Sequence, residues 1–489
     1  MELDPTRCYR AFVSHDPRFD GRLFAGVTTT GIYCRPVCPV RPAKREHCRF
    51  FTCAAAAEAA GFRPCRRCRP EASPGAPAWL GTSALVARAF RLIDAGALDA
   101  GDVETLAGRL GVGARQLRRL FAEHVGASPA RVARARRAHF ARALLDATDL
   151  PMHAVAFGAG FRSVRQFNHA VRTTFRASPT ALRARRRPGG PGAGLVLRLA
   201  YRPPLDWPAL CEYLALRATP GVEVVTGAAY RRTIPVGDGA GVVEVRPDPD
   251  GRHLRLRVDP PATTGLMALV ARARRLFDLD AAPDEIARVL RRSAVLRPLV
   301  EAAPGRRVPG AWDGFELAVR AIIGQQVTVR GATTLTGRLV ARLGRPVDVG
   351  VGGLDRLFPT PAAIAAADLA GLGIPGARRA TLRALAAAVA RGELALDGTR
   401  PLDEAVARLR AIRGLGPWTA EYVAMRALGE PDAFPAGDLG LRRAAGDGAG
   451  PLPEPALRRI AEAWRPWRAY AAMHLWTGAR PAAAARRSA

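Results

Sequence analysis

Seven of the eight cysteines in this chain fall before residue 70, and their spacing is the first sign of chemistry. Cys34 and Cys38 are separated by three residues in TTGIYCRPVC, and Cys65 and Cys68 by two in FRPCRRC. Two thiol pairs at these spacings can close a tetrahedral site of the kind Zn2+ takes. Spacing alone leaves two readings open. The zinc could be a knuckle that holds a small domain together. Alternatively, it could keep a thiolate deprotonated at neutral pH and still able to attack carbon. Cys8, Cys48, Cys53 and Cys211 are expected to pack as small apolar residues.

A second chemical signal lies in IRGLGPWTAEYVAMRALGEPDAFPAGDLGLRR. The glycines of RGLGPWTA allow a tight hairpin between helices, with the backbone N–H groups of Gly414 and Gly416 turned toward a phosphate. The plain alternative is an ordinary interhelical turn. Asp438 follows about twenty residues later, beyond a proline-containing loop, where it is either a functional carboxylate or a helix cap.

Taken with their contexts, these motifs resemble known families. TTGIYCRPVC followed by AGFRPCRRC resembles the N-terminal domain of the Ada adaptive-response family, over nearly all of residues 5–72. The resemblance implies that Cys34 accepts a methyl group from a DNA methylphosphotriester in a single-use reaction, with Cys38, Cys65 and Cys68 as zinc co-ligands. Methylation would turn one thiolate into a thioether and remove one unit of negative charge from the site. Weaker repulsion of phosphates is then expected to raise DNA affinity after repair. Arg35, Arg41, Arg63, Arg66, Arg67 and Arg69 surround the site in sequence and could neutralise phosphates.

The segment VETLAGRLGVGARQLRRLFAEHVG reads as helix, break at Gly111 and Gly113, then a second helix. HAVAFGAGFRSVRQFNHAVRTTFRASPTALR repeats that grammar around Gly158 and Gly160. One such pattern is weak, but the pair resembles the AraC-type DNA-binding domain. Gln116, Arg119, Arg162, Arg165 and Gln166 are then candidate base or phosphate contacts. Leu106, Leu110, Leu117, Phe121, Phe161, Phe167 and Phe175 are expected to be core.

From about residue 195 onward, AYRPPLDW, ARRLFDLD, FELAVRAIIGQQVTV, the hairpin with Asp438, and RPWRAYAAMHLW resemble AlkA-type 3-methyladenine DNA glycosylases of the helix-hairpin-helix superfamily. The resemblance implies that Asp438 is the catalytic carboxylate and that Trp418, Tyr422 and Trp476 line the base pocket. N-alkylated purines carry positive charge, so electron-rich rings suit them and little acid catalysis is required. Gln325 and Gln326 are candidate wedges for the gap left by a flipped nucleotide, although the family has an apolar residue where this chain has Gln326. Pro417 also departs from the family, which has a basic residue there. Lys44 is the only lysine in the chain, so a lysine Schiff-base lyase is excluded from this part. No Pro-Cys-His-Arg element occurs, so an alkylguanine methyltransferase activity is not expected.

The elements that must position these residues can be read more coarsely. At 489 residues the chain exceeds one hydrophobic core. Segments rich in Pro, Gly and Arg at 73–77, 183–194 and 305–310 divide it into four. The expected fold class is multidomain and mainly α. A small zinc domain (1–75) precedes an AraC-type helical domain (80–187), a small α+β domain (195–305) and a helix-hairpin-helix glycosylase bundle (306–480). In the third, GVVEVRPDPDGRHLRLRV alternates around a Pro-Asp-Gly turn and reads as an antiparallel hairpin. The loose tail ARPAAAARRSA follows the bundle.

Charge agrees with a nucleic-acid partner: 74 Lys+Arg against 43 Asp+Glu give a net +31. Double-stranded DNA, both alkylated and promoter DNA, is the expected partner, with RNA polymerase as a further one. No apolar run reaches membrane length and no leader pattern opens the chain, so a reducing cytoplasm and no membrane are expected; a monomer is assumed. Two functions from different classes fit. One is an alkylation-repair protein that excises alkylated bases and accepts methyl groups coupled to transcription regulation. The other is a methylation-responsive regulator whose glycosylase fold only binds DNA.

Overall fold

Short polar residues ahead of prolines set many of the helix starts. Ser128, Ser178 and Thr360 each accept a hydrogen bond from the backbone N–H three residues on, and a proline follows each at the first helical position. In the computed structural model, residues 4–75, 84–185, 195–261, 265–446 and 450–478 are described. The expected joints at 73–77 and 183–194 and the C-terminal tail lie partly or wholly outside these residues. The chain divides into two compact units: Met1–Arg202 with Ile234–Arg274 and Leu279–Ala281, and Pro203–Thr233 with Arg275–Asp278 and Ala282–Ala489.

The first unit begins with helix Pro5–Val13, capped by Asp4. A four-stranded sheet follows in which Phe24–Val27 is antiparallel to both Ile32–Cys34 and Cys48–Phe51, and Arg63–Pro64 runs parallel to Ile32–Cys34. Gly26 is the residue that fits here, since an added Cβ would lie 2.9 Å from the Phe51 ring and 3.0 Å from that of Phe62. Among the described residues, the following eight helices are all in the expected helical segment. Val103–Arg109 and Ala114–His124 turn at Gly111 (φ +73°), and Met152–Gly158 and Val164–Phe175 turn at Gly160 (φ +80°). The seven core residues expected from their helical spacing are all buried. The 19-residue helix Pro129–Ala147 joins the two pairs and packs on Ala54–Ala59, Ala84–Asp94 and Val164–Phe175.

Three further strands among the described residues, together with most of helix Leu266–Leu276, belong to this unit. Leu195–Ala200 is antiparallel to His253–Asp259, which is antiparallel to Gly239–Pro247. Along His253–Asp259, Leu254, Leu256 and Val258 point inward and Arg255, Arg257 and Asp259 outward, the period of two expected of the hairpin. The boundary between the units runs through strand Ala229–Val236.

The second unit is helical apart from the hairpin of Glu223–Thr226 with the start of that strand. Its central helix, Gly314–Ile323, is capped by Asp313, which accepts from the N–H groups of Phe315 and Glu316. It packs on Gly376–Ala390 and Pro417–Arg426, and Val319, Ile322, Ile323, Leu382, Leu385, Leu409, Leu415 and Val423 form one buried cluster. Leu415 ties the tip of the Gly414–Gly416 turn into this core. Among the described residues no helix is long and apolar enough to cross a membrane.

Ile322 is fully buried at the centre of that cluster. Ile322→Ala is expected to cost about 2–5 kcal/mol, measured as a lower urea midpoint for the second unit.

Candidate metal centre and active-site pocket

The parallel pairing of Ile32–Cys34 with Arg63–Pro64 brings the two cysteine pairs together. Cys65 follows directly on its strand, its N–H donating to Tyr33 O (3.0 Å), and Cys38 returns through a turn closed by Cys38 N–H to Arg35 O (3.2 Å). All four sulfurs are buried and lie within 4.8 Å of one another. Hydrogen bonds from Cys38, Cys65 and Cys68, with burial behind them, push the Cys34 thiol far up. The bond from Cys34 leads in bringing Cys38 down to about 7. Four thiols this close cannot all ionise without a cation among them. Four soft donors and no carboxylate fit a tetrahedral zinc ion, so zinc is the cofactor of this centre.

The six arginines near the centre differ in what they are free to do. Arg35 donates through its backbone N–H to Cys68 Sγ (3.3 Å) and pairs with Asp20 (Nε to Oδ1, 2.7 Å). Arg69 is held by Glu71 and Asp146. Arg41, Arg66 and Arg67 are exposed. Sequence reasoning missed the support behind Cys34. The neighbouring Tyr33 donates to Glu58 Oε1 (2.9 Å), which also bonds His139 Nε2 (2.6 Å) on Pro129–Ala147. Burial opposes charge on His139, but Glu58 outweighs it and raises the imidazole above its ordinary value.

On the two recognition-type helices, Gln116, Arg119, Arg165 and Gln166 are exposed. Arg162 is exposed too, but its guanidinium donates to the carbonyls of Asp99 (3.0 Å) and Ala100, which ties it to the end of helix Ala97–Ala100.

In the second unit, Trp418 is one residue into helix Pro417–Arg426, Tyr422 one turn further, Trp476 on Arg468–Gly478, and Asp438 caps Leu439–Ala444. All four line one cavity of about 420 Å3. Trp418 Nε1 donates to Asp438 Oδ2 (3.0 Å), Trp476 Nε1 to Oδ1 (2.9 Å), and Leu441 N–H also to Oδ1 (2.9 Å). The carboxylate is thus cap and pocket wall at once. Trp418 and Tyr422 are stacked at 5.3 Å and 7°, and Trp476 meets Tyr422 edge-on at 6.3 Å.

Behind the rings is a polar layer that spacing did not single out. Buried Arg426 donates to the hydroxyls of Tyr422 (2.7 Å) and Tyr213 (2.6 Å). Burial drives the Tyr422 phenol up, but Arg426 and then Arg217 outweigh it and hold it at about 8. Arg232 pairs with Glu316 (2.9 Å) and Arg320 with Glu223 (3.4 Å), and burial pushes Glu316 up to about 7 against Arg232. The only sequence signals were Tyr422/Arg426 and Glu316/Arg320 at i,i+4.

Neither Gln325 nor Gln326 lines the cavity. Gln325 Nε2 instead donates to Gly414 O and Thr419 Oγ1, both at 3.0 Å, while Gln326 is exposed at the tip of the same turn. At the hairpin, Gly414 has φ +95° and its Cβ position lies 2.1 Å from Thr381 Oγ1. An added Cβ at Gly416 would meet nothing within 4 Å.

Four family models match in order: the metal-binding domain of Ada (7–71), a helix-turn-helix domain (106–185), the AlkA N-terminal domain (196–313) and the HhH-GPD superfamily of base excision DNA repair proteins (319–468). The chain is 48% identical over 482 residues to the probable bifunctional transcriptional activator/DNA repair enzyme AlkA of Mycobacterium tuberculosis, covering 98% of this chain and 97% of that one. It is 36% identical over 282 residues to DNA-3-methyladenine glycosylase 2 of Escherichia coli K12, covering 57% of this chain and 95% of the relative. Among solved structures, a 3-methyladenine DNA glycosylase from Archaeoglobus fulgidus matches with a TM-score of 0.51 and 26% identity, covering 57% of this chain and 97% of that one.

The two hairpin glycines should respond differently to a methyl group. Gly414→Ala is expected to destabilise the second unit by about 1–3 kcal/mol, from positive φ and the clash with Thr381, whereas Gly416→Ala should leave thermal unfolding near wild type; calorimetry of both variants checks this.

Proposed function

The chain belongs to the family of bifunctional transcriptional activator/DNA repair enzymes AlkA, and on that premise we propose how its residues divide the work. Residues 1–75 accept methyl groups from DNA methylphosphotriesters, 80–187 read promoter DNA and engage RNA polymerase there, and 195–305 with 306–480 excise alkylated bases. The observation that carries the excision reading is Asp438, held by two indole N–H groups in the wall of an aromatic cavity.

An extruded N-alkylated purine is a cation with its glycosidic bond already weakened. The Trp418–Tyr422 stack and the Trp476 ring offer it π faces. As C1′–N breaks, the bonding pair leaves with the base, whose charge it neutralises, and positive charge develops on the sugar. Asp438 stabilises that charge electrostatically. The indole donors fix both of its oxygens, and the remaining lone pairs can take a proton from the water that adds to C1′. No lysine is needed for this hydrolytic course, and none is present beyond Lys44. Gly414 and Gly416 would present amides to a backbone phosphate near the lesion.

At the other centre, Cys34, Cys38, Cys65 and Cys68 would hold zinc, which would keep the sulfurs as thiolates. Cys34 Sγ then attacks the methyl carbon of the triester, the C–O bond breaks, and the phosphodiester leaves as an anion. Arg66 and Arg67 are exposed beside the centre and can hold neighbouring phosphates. The thioether removes one unit of negative charge, which favours operator binding through Gln116, Arg119, Arg165 and Gln166, with Arg162 bracing the second recognition helix.

Release of 3-methyladenine and 7-methylguanine from methylated duplex DNA tests the first activity. Wild type should release both, and Asp438→Asn should be slower by about a hundredfold or more. No release by zinc-loaded wild type would leave a damage-responsive regulator with an inactive glycosylase fold. The second activity predicts that incubation with methylphosphotriester DNA adds one methyl group to the Cys34 peptide, read by mass spectrometry, and that Cys34→Ser gains none.

A further inference from the structure

Arg202 stands two residues beyond strand Leu195–Ala200 and is only 2% exposed. A guanidinium so buried must place its N–H groups on acceptors inside the protein. These go to three backbone carbonyls that are far apart in sequence: Asp20 O (from Nε, 3.0 Å), Asp280 O (from Nη1, 2.9 Å) and Gly75 O (from Nη2, 2.6 Å). Asp20 lies in the part that matches the metal-binding domain of Ada, and Gly75 just after it. Arg202 and Asp280 lie in the part that matches the AlkA N-terminal domain. All four residues belong to the first compact unit. One side chain therefore joins the cysteine-bearing domain to the AlkA-type sheet.

The backbones on either side are shaped for this contact. An added Cβ at Gly75 would run into the Asp280 carboxylate, and one at Gly21 into Pro74 O, with Arg202 Nη2 3.1 Å away. The Asp280 carboxylate is itself held by Arg274 (Nε to Oδ1, 3.1 Å). A second contact runs beside the first. Helix Pro129–Ala147, which bonds the cysteine-bearing domain through His139 and Asp146, packs on Leu195–Ala200. Domains joined only by a tether keep their charged side chains in water at such a surface. A buried guanidinium with three carbonyl partners fits a fixed dock instead, because parting the surfaces would break all three bonds at once.

The dock is connected to the cysteines. Asp20, whose carbonyl Arg202 holds, accepts through its carboxylate from Arg35 Nε (2.7 Å). Arg35 lies in the loop between Cys34 and Cys38 and donates to Cys68 twice, from its backbone N–H to Sγ (3.3 Å) and from Nη1 to the carbonyl (3.2 Å). With zinc bound, that loop is closed at both ends by metal–sulfur bonds. Without it, the loop and the Arg35–Asp20 pair lose that constraint. We propose that Arg202 docks the cysteine-bearing domain onto the AlkA-type sheet, and that zinc binding, through Arg35 and Asp20, stabilises this sheet as well as the domain that holds the metal. The inference requires neither methyl transfer nor base excision, so it stands or falls apart from both.

Hydrogen exchange of the full chain, followed by mass spectrometry with and without zinc under reducing conditions, tests this. Amides of Leu195–Ala200 and His253–Asp259 should exchange about tenfold faster in the zinc-free protein, while those of Gly314–Ile323 in the second unit keep their rate. Arg202→Met, which keeps the length of the side chain and removes its donors, should speed the same strands about equally in the zinc-loaded protein and leave its zinc content unchanged. Gly75→Val, which drives a side chain against the Asp280 carboxylate and leaves Arg202 intact, should act in the same direction and serves where Arg202→Met does not fold. Strands whose exchange is unaffected by zinc removal, or by the substitutions with zinc bound, overturn the proposal. So does an acceleration that is equal in Gly314–Ile323, which reports unfolding of the whole chain and no dock.

Discussion

The carboxylate of Asp438, held between two indole N–H groups, is the interaction on which the second unit depends. The three rings of the cavity come from two helices, with Trp418 and Tyr422 on Pro417–Arg426 and Trp476 on Arg468–Gly478, while Asp438 itself starts a third. A carboxylate facing aromatic walls needs donors, and a cation as its partner would neutralise the field on which the proposed excision relies. Neutral indoles meet that need: each satisfies one oxygen and leaves the charge in place. The cost is geometric, since both tryptophans must stay in register with a helix cap. The buried cluster around Ile322, Leu415 and Val423 seats the helix of Trp418, and the packing of Leu439–Ala444 on Arg468–Gly478 holds Asp438 and Trp476 together.

The rings themselves must also be kept from collapsing into their own pocket. Tyr422 is anchored at its far end by Arg426, which is in turn held by Tyr213 and by Gly310 O (3.1 Å). The same solution appears in the first unit on a smaller scale. Tyr33, next to Cys34, is anchored through Glu58 to His139, and Arg69, next to Cys68, through Asp146. In both places a candidate site residue sits on a short segment, and a long-range polar contact lies one residue or one turn away.

These anchors explain what could and could not be read from the residues in order. Local patterns carried the cysteine pairs, the two glycine turns with their core positions and the hairpin around Pro249–Gly251, because each is fixed by spacing within about 25 residues, whereas Trp418, Tyr422, Trp476 and Asp438 were singled out by family resemblance. The Tyr33–His139 contact spans 106 residues and the Arg426–Tyr213 contact 213, and nothing in either segment names its partner. The four-stranded sheet around the zinc centre was equally hidden, since its strands are two to four residues long. Gln325 shows the limit within a motif: it stands where a wedge was expected, but its amide faces the hairpin.

Net charge needs the same distinction between a count and a place. The excess of +31 is almost all arginine, and a polyanion partner accounts for its sign. Yet many guanidiniums are committed inside the protein: Arg35 to Asp20, Arg137 to Leu98 O and Asp99, Arg232 to Glu316, and Arg426 to two tyrosines. A buried guanidinium without such partners would be strongly destabilising, so these residues cannot also neutralise phosphates. The residues left for DNA are the exposed ones, such as Arg66 and Arg67 beside the zinc centre and Arg119 and Arg165 on the recognition helices. The salt dependence of DNA binding counts phosphate contacts rather than formal charge. It should therefore track exposed side chains of this kind rather than the formal net charge.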